Sequence, residues 1–215
     1  MNAITLNLHP TIELTDEQFA LICSTNRDLK LERTATGELV IMPPTGGETG
    51  KRNSSINAQL WLWNQQSKLG EVFDSSTGFI LPNGATRSPD AAWIKKERWE
   101  SLTSQQQQQF IPLCPDFAIE LRSSSDSLLE LQKKMTSDPA SPKVRDRRES
   151  FRARECARMQ EYVANGLTLG WLIDPQNKQV EVYRPNCPVK TLSNPISLSV
   201  ENILLDFTLD LTDIL

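Results

Sequence analysis

Two acids sit where a charge is expensive. Asp90 follows Ser88-Pro89 in the run SPDAAWI, and Glu120 interrupts the apolar run FAIEL. A carboxylate inside an apolar strand is strongly disfavoured unless a cation or a hydrogen-bond donor meets it. If the two strands are neighbours in one sheet, Asp90 and Glu120 can point to one spot and ligate Mg2+ or Mn2+, with Mg–O bonds of roughly 2.0–2.1 Å. That is the outline of a metal-assisted hydrolytic site. Each acid also has a plainer reading. Asp90, beside a proline, can cap a turn, and Glu120 can form a structural ion pair with Arg122 or Lys134.

A third stretch, MPPTGGETGKR at residues 42–52, resembles a phosphate-cradling loop but lacks two of its parts. Thr45 stands where the first glycine is required, and Arg52 stands where a metal-ligating hydroxyl belongs. The glycines are better read as the turn into a helix. Glu48 then falls in the first turn, where it meets the positive end of the helix dipole, and Lys51 and Arg52 form a solvated face.

The elements that must position these residues follow from local pattern. Thr15 predicts the N-cap of a short helix opening at Asp16. Residues 29–33 and 38–42 flank Gly37 as a hairpin. A helix from Glu48 carries Ile56, Leu60 and Trp63, with Gly70 as its expected cap. Strand signals at 71–73, 78–81 and 88–94, with the turn Asn83-Gly84, suggest a meander. Residues 95–110, including five glutamines, read as a polar surface segment. Strands at 117–121, 169–173 and 179–183 complete the pattern, with a helix opening near Ser125. Strand, helix, strand argues for an α/β domain with a mixed sheet and one right-handed crossover.

The chain has 215 residues, a size that suits one domain with a real core, and a net charge of -4. It lacks the broad basic surface of a passive nucleic-acid coat. Residues 136–159 are the exception: seven basic side chains against four acidic ones give +3 there, leaving -7 elsewhere. Cys23, Cys114, Cys156 and Cys187 are widely spaced and His9 is the sole histidine, which argues against a zinc cluster or a histidine-dependent triad. No apolar run approaches the roughly 20 residues of a membrane helix. The expectation is a soluble, cytoplasmic protein with no membrane partner.

Pro89-Asp90 followed by Glu120-x-Arg122 resembles the Pro-Asp…Asp/Glu-x-Lys signature, PD-(D/E)xK, of restriction-endonuclease-like nucleases. The wider series PTGGETG, RSPDAAW, FAIELRS, LQKKM, QEYVANG, GWLIDP and VEVYRP, in that order, resembles the Uma-two family of that superfamily. The resemblance spans nearly the whole chain except residues 136–159. It implies a restriction-endonuclease-like fold, a mixed twisted sheet flanked by helices, in a single domain over 1–215. It implies a Mg2+- or Mn2+-dependent endonuclease acting on DNA, with a homodimer left open.

Carried over by position, Asp90 and Glu120 match the metal-binding acids, and Glu48 matches a further acid near the metal. Arg122 replaces the superfamily's lysine; an arginine can steady a phosphate but stays charged and accepts protons poorly. In the Uma-two pattern that lysine lies on the next helix, four residues before a tyrosine. Lys134 fits the first half of this pair and Tyr162 the second. Residues 136–159 separate them and read as an insertion. Pro139 and Pro142 forbid one continuous helix, so the chain is expected to loop to Pro142, re-enter a helix near 144–148 and end it at Gly166. The insertion reads either as a tolerated surface excursion or as a basic arm for nucleic acid. Arg122 and the insertion also support an alternative function: a catalytically weak nucleic-acid-binding or regulatory protein that retains the nuclease fold.

Overall fold

In the computed structural model, residues 3–122, 155–199 and 203–215 are described. Strand β1 (Ile4–Leu6) precedes helix α1 (Asp16–Thr25). Thr15 caps α1 through a reciprocal capping box with Gln18, the outcome its sequence predicts. Strands β2 (Lys30–Arg33) and β3 (Leu39–Met42) form the expected antiparallel hairpin, and Gly37 takes the positive φ its turn requires. Helix α2 (Gly47–Ser67) then presents Ile56, Leu60 and Asn64 inward.

The end of α2 differs from the sequence reading. Lys68, with φ of 56°, is the left-handed cap, while Gly70 opens strand β4 (Gly70–Asp74). Glycine is needed there for space: a Cβ on Gly70 would lie 2.1 Å from the Ile94 carbonyl and 2.6 Å from the Trp93 ring. The suggested meander is also divided. Strands β5 (Phe79–Ile80) and β6 (Thr86–Arg87) join one sheet, whereas β4 pairs directly with β7 (Ala91–Lys95) in the other. Two short helices follow, α3 (Lys96–Glu100) and α4 (Ser104–Gln108).

Strand β8 (Phe117–Leu121) is buried along its whole length at the centre of the second sheet. It runs antiparallel to β7 and parallel to β9 (Leu169–Asp174), which is followed by β10 (Gln179–Tyr183) and β11 (Lys190–Ser193). The six-stranded order is β11-β10-β9-β8-β7-β4, and the five-stranded order is β1-β3-β2-β6-β5. Strands β12 (Ser197–Ser199) and β13 (Thr208–Asp210) pair separately. The expected crossover between β8 and β9 is present. Its described part is a helix at 155–164, here α5, which ends in a turn at Gly166 with φ of +107°. The proposed loop and re-entry at 136–148 lie outside the described residues.

Side-chain alternation along β8 divides the core. Phe117, Ile119 and Leu121 pack with Ile56 and Leu60 of α2 and with Trp93, Trp171 and Phe207. Ala118 packs on the other side with Ala92, Ile94, Leu172 and with Met159 and Tyr162 of α5. Among the described residues, no helix is long and apolar enough to cross a membrane.

Candidate active site

Glu120 has the same parity as Ala118 and therefore belongs to the α5 side of the sheet. It is only 6% exposed. Tyr162 of α5 donates its hydroxyl to Glu120 Oε1 at 3.1 Å, and Arg158 Nη2 lies 3.2 Å from the same oxygen. Residues 158 and 162 are one turn apart, so both reach from one helix face.

Arg158 also holds an acid from the other sheet. Its Nη2 lies 2.7 Å from Oε1 of Glu32 on β2. Glu32 further accepts from the Ser88 amide at 3.1 Å and from Arg87 at 3.3 Å, and Arg87 in turn meets Glu161 at 2.7 Å. Two carboxylates from two sheets thus converge on one buried guanidinium.

Asp90 is near enough for its charge to act on Glu120 and Arg158. The β7–β8 pairing ends with Ala91 opposite Ile119, and Asp90 is the residue just before β7. Asp90 Oδ2 accepts from the Leu121 amide at 2.8 Å, and Oδ1 accepts from Asn53 Nδ2 at 3.0 Å. Asn57 Nδ2 donates to the Asp90 carbonyl at 2.9 Å. Asn53 and Asn57 are one turn apart on α2, and each leaves its amide oxygen buried with no hydrogen-bond partner among the described residues.

The electrostatics separate the acids. Burial pushes the Glu120 carboxyl up to about 7; Arg158 opposes this, while the charges of Asp90 and Glu32 add to it. Burial acts the same way on Glu32, but Arg158, Arg87 and Lys30 outweigh it and hold that carboxyl below the usual range. One acid is thus poised near neutrality beside another that stays ionised.

The other sequence candidates fall elsewhere. Glu48 is exposed in the first turn of α2, where its ion pair is with Arg52 at 3.7 Å. Arg122 is buried and paired with Asp174 at 2.6 Å. Lys134 lies outside the described residues. Glu32, Asn53 and Asn57 were not singled out from sequence. The asparagines did leave a signal, as polar residues set into the apolar stripe of α2. Glu32, a charge in a short hairpin strand, left none.

A model of the family described as "Uma2: Putative restriction endonuclease" matches residues 16–212. The chain belongs to the Uma2 family. No curated protein matches it. Among solved structures it is similar to a "putative nuclease belonging to DUF820" from Anabaena variabilis ATCC 29413, with 17% identity and a TM-score of 0.60 over 85% of this chain and 88% of that one. At that identity the likeness establishes the fold, a mixed α/β architecture shared with a Uma2-type nuclease candidate.

A nuclease of the kind the family description names would call for a divalent metal. Among the described residues, no three histidine, cysteine, aspartate or glutamate side chains converge as a metal-binding group. What is present are the carboxylates of Asp90 and Glu120, near enough for the charge of one to act on the other, and, next to Asp90, two amide oxygens without a hydrogen-bond partner among the described residues. This all-oxygen set fits Mg2+, which uses one or two carboxylates, keeps several waters and draws further ligands from a substrate phosphate.

Proposed function

We propose that the chain is a Mg2+-dependent DNA endonuclease, with Mn2+ as a substitute, that hydrolyses phosphodiester bonds at the Asp90–Glu120 pair. The observation that supports this reading is that, in a chain of the Uma2 family, Asp90 stands just before β7 and Glu120 in its neighbour β8, near enough for the charge of Asp90 to act on Glu120. Asp90 and Glu120 would hold the metal. Bound there, it would polarise a phosphate oxygen and make a water more acidic. The chain's own groups prepare that step. Asn53 and the Leu121 amide fix both oxygens of Asp90, and Tyr162 fixes Glu120. Burial excludes water from the Glu120 side and strengthens every electrostatic contact there. Arg122, tied to Asp174, supplies a fixed positive charge near the end of β8 rather than a proton acceptor.

The test is cleavage of supercoiled plasmid by purified protein with Mg2+ or Mn2+. Asp90→Asn, which keeps the size of the side chain but removes its charge and one of its two accepting oxygens, is expected to reduce cleavage at least about 100-fold. Equal cleavage by this variant refutes the site.

One observation favours a second reading. Arg158 already neutralises Glu120, so a protein that binds nucleic acid or regulates without cleaving it would keep this cluster as a structural pair. DNA retention with no cleavage under any divalent metal selects that reading.

A further inference from the structure

Arg158 belongs by sequence to the basic stretch 136–159, yet its side chain is 11% exposed and spans Glu32 and Glu120. Met159 beside it is fully buried. The end of the stretch is therefore part of the body of the protein. The boundary can be drawn as 136–159 or as 135–158, because Met135 and Met159 are the same residue type. Removing either stretch yields KKMQEY and brings Lys134 to the spacing of four residues before Tyr162. In the intact chain, Arg158 holds that spacing.

We propose that Arg158 has taken over as the cation of the acid cluster in place of Lys134, as a positioning residue that fixes Glu120 relative to Glu32. The place of Arg158 in the cluster rests on the geometry and its exchange with Lys134 on the sequence spacing; the positioning role rests also on the nuclease reading above. The exchange has chemical consequences. A guanidinium offers several donors in one plane and can serve two carboxylates at once, but it stays charged and cannot accept a proton. Any proton taken from the attacking water must go to another group or to solvent.

The experiment is a register swap in the full chain. Variants Arg158→Gln, Arg158→Lys and Lys134→Gln are compared with the deletion of 136–159, made with and without Lys134→Gln. Melting temperature and Mn2+-dependent plasmid cleavage are measured for each. Arg158→Gln is expected to lower the melting temperature by about 5 °C or more, because it removes the cation beside Glu120 and one of the two arginines on Glu32. It should also reduce cleavage at least about tenfold. Arg158→Lys should recover most of both. Lys134→Gln should leave the melting temperature of the full chain in place, yet lower that of the deletion protein as Arg158→Gln lowers the parent's.

Equal sensitivity to Lys134→Gln with and without the deletion overturns the exchange. If Arg158→Gln does not fold, Arg158→Lys and the deletion pair still decide it. A folded Arg158→Gln that cleaves at the parental rate overturns the positioning role and leaves only an ion pair. If no form cleaves, including the parent, the nuclease reading fails and the positioning role with it, while the melting comparison still decides which cation fills the register.

Discussion

Glu120 holds a proton at pH values where the unfolded chain has released it. Its folded value is pushed up to about 7, mainly by burial, against about 4.3–4.5 for an ordinary glutamate. Between those values the native state binds more protons than the unfolded state, so this group makes stability fall as pH rises through that window. Glu32 works in the opposite sense: it is held low, so its contribution is present above the ordinary carboxylate range and is lost as pH falls through its folded value. In the metal-free protein, Glu120→Gln should therefore be less destabilising, relative to the parent, at pH 8 than at pH 5. The difference should be on the order of 2–3 kcal/mol. Denaturant melts at the two pH values check this; parallel losses at both would show that Glu120 is not the group titrating. At this scale the sequence placed Glu120 in its buried strand, because an acid in an apolar run is conspicuous, whereas Asp90 falls just before β7 rather than within it. It was silent on Glu32, whose burial depends on arginines 55 and 126 residues away.

The turn from α2 into β4 illustrates what local pattern can and cannot assign. Lys68 adopts φ of 56°, a conformation that favours glycine, whereas Gly70 has ordinary backbone freedom to lose but no room to gain a side chain. Lys68→Gly should accordingly stabilise by about 0.5–1 kcal/mol. Gly70→Ala should destabilise by more than about 2 kcal/mol, because the new methyl meets backbone at Ile94. Thermal melts of the two variants should move in opposite directions; a neutral Gly70→Ala would mean that β4 can shift away from β7. The sequence marked both glycine and helix end but could not say which residue carried the left-handed turn. Similarly, the hairpin β2–β3 and the strands β7, β8, β9 and β10 were legible from apolar runs and turn residues. The division of the suggested meander between two sheets was not. Strands β5 and β6 have two residues each, and their placement depends on distant partners such as Arg33 opposite Thr86. Strands β11 to β13 are short and largely exposed, so they carry little of the periodicity by which strands are recognised.

At the scale of the molecule, Arg158 joins the two larger sheets by bridging Glu32 and Glu120, Arg87 of β6 ties its own sheet to α5 through Glu161, and α5 delivers Arg158 from the connection between β8 and β9. That connection covers residues 122–168. Deleting 136–159 roughly halves it, which lowers the loop-closure cost by only about 0.6 kcal/mol. Refolding of the deletion protein, followed by stopped-flow tryptophan fluorescence, should therefore be faster by less than about threefold. A tenfold change would mean that the stretch does more during folding than lengthen a loop. The same parallel pairing has a consequence for synthesis in the cell. Strand β8, apolar except for Glu120, leaves the ribosome with β7 available on one edge, while its partner on the other edge has not been translated. At about 5–20 residues per second, that edge waits roughly 2–10 s for β9. During this interval the nascent chain presents an open apolar strand to its neighbours on the polysome, and shortening the connection would shorten that exposure in proportion.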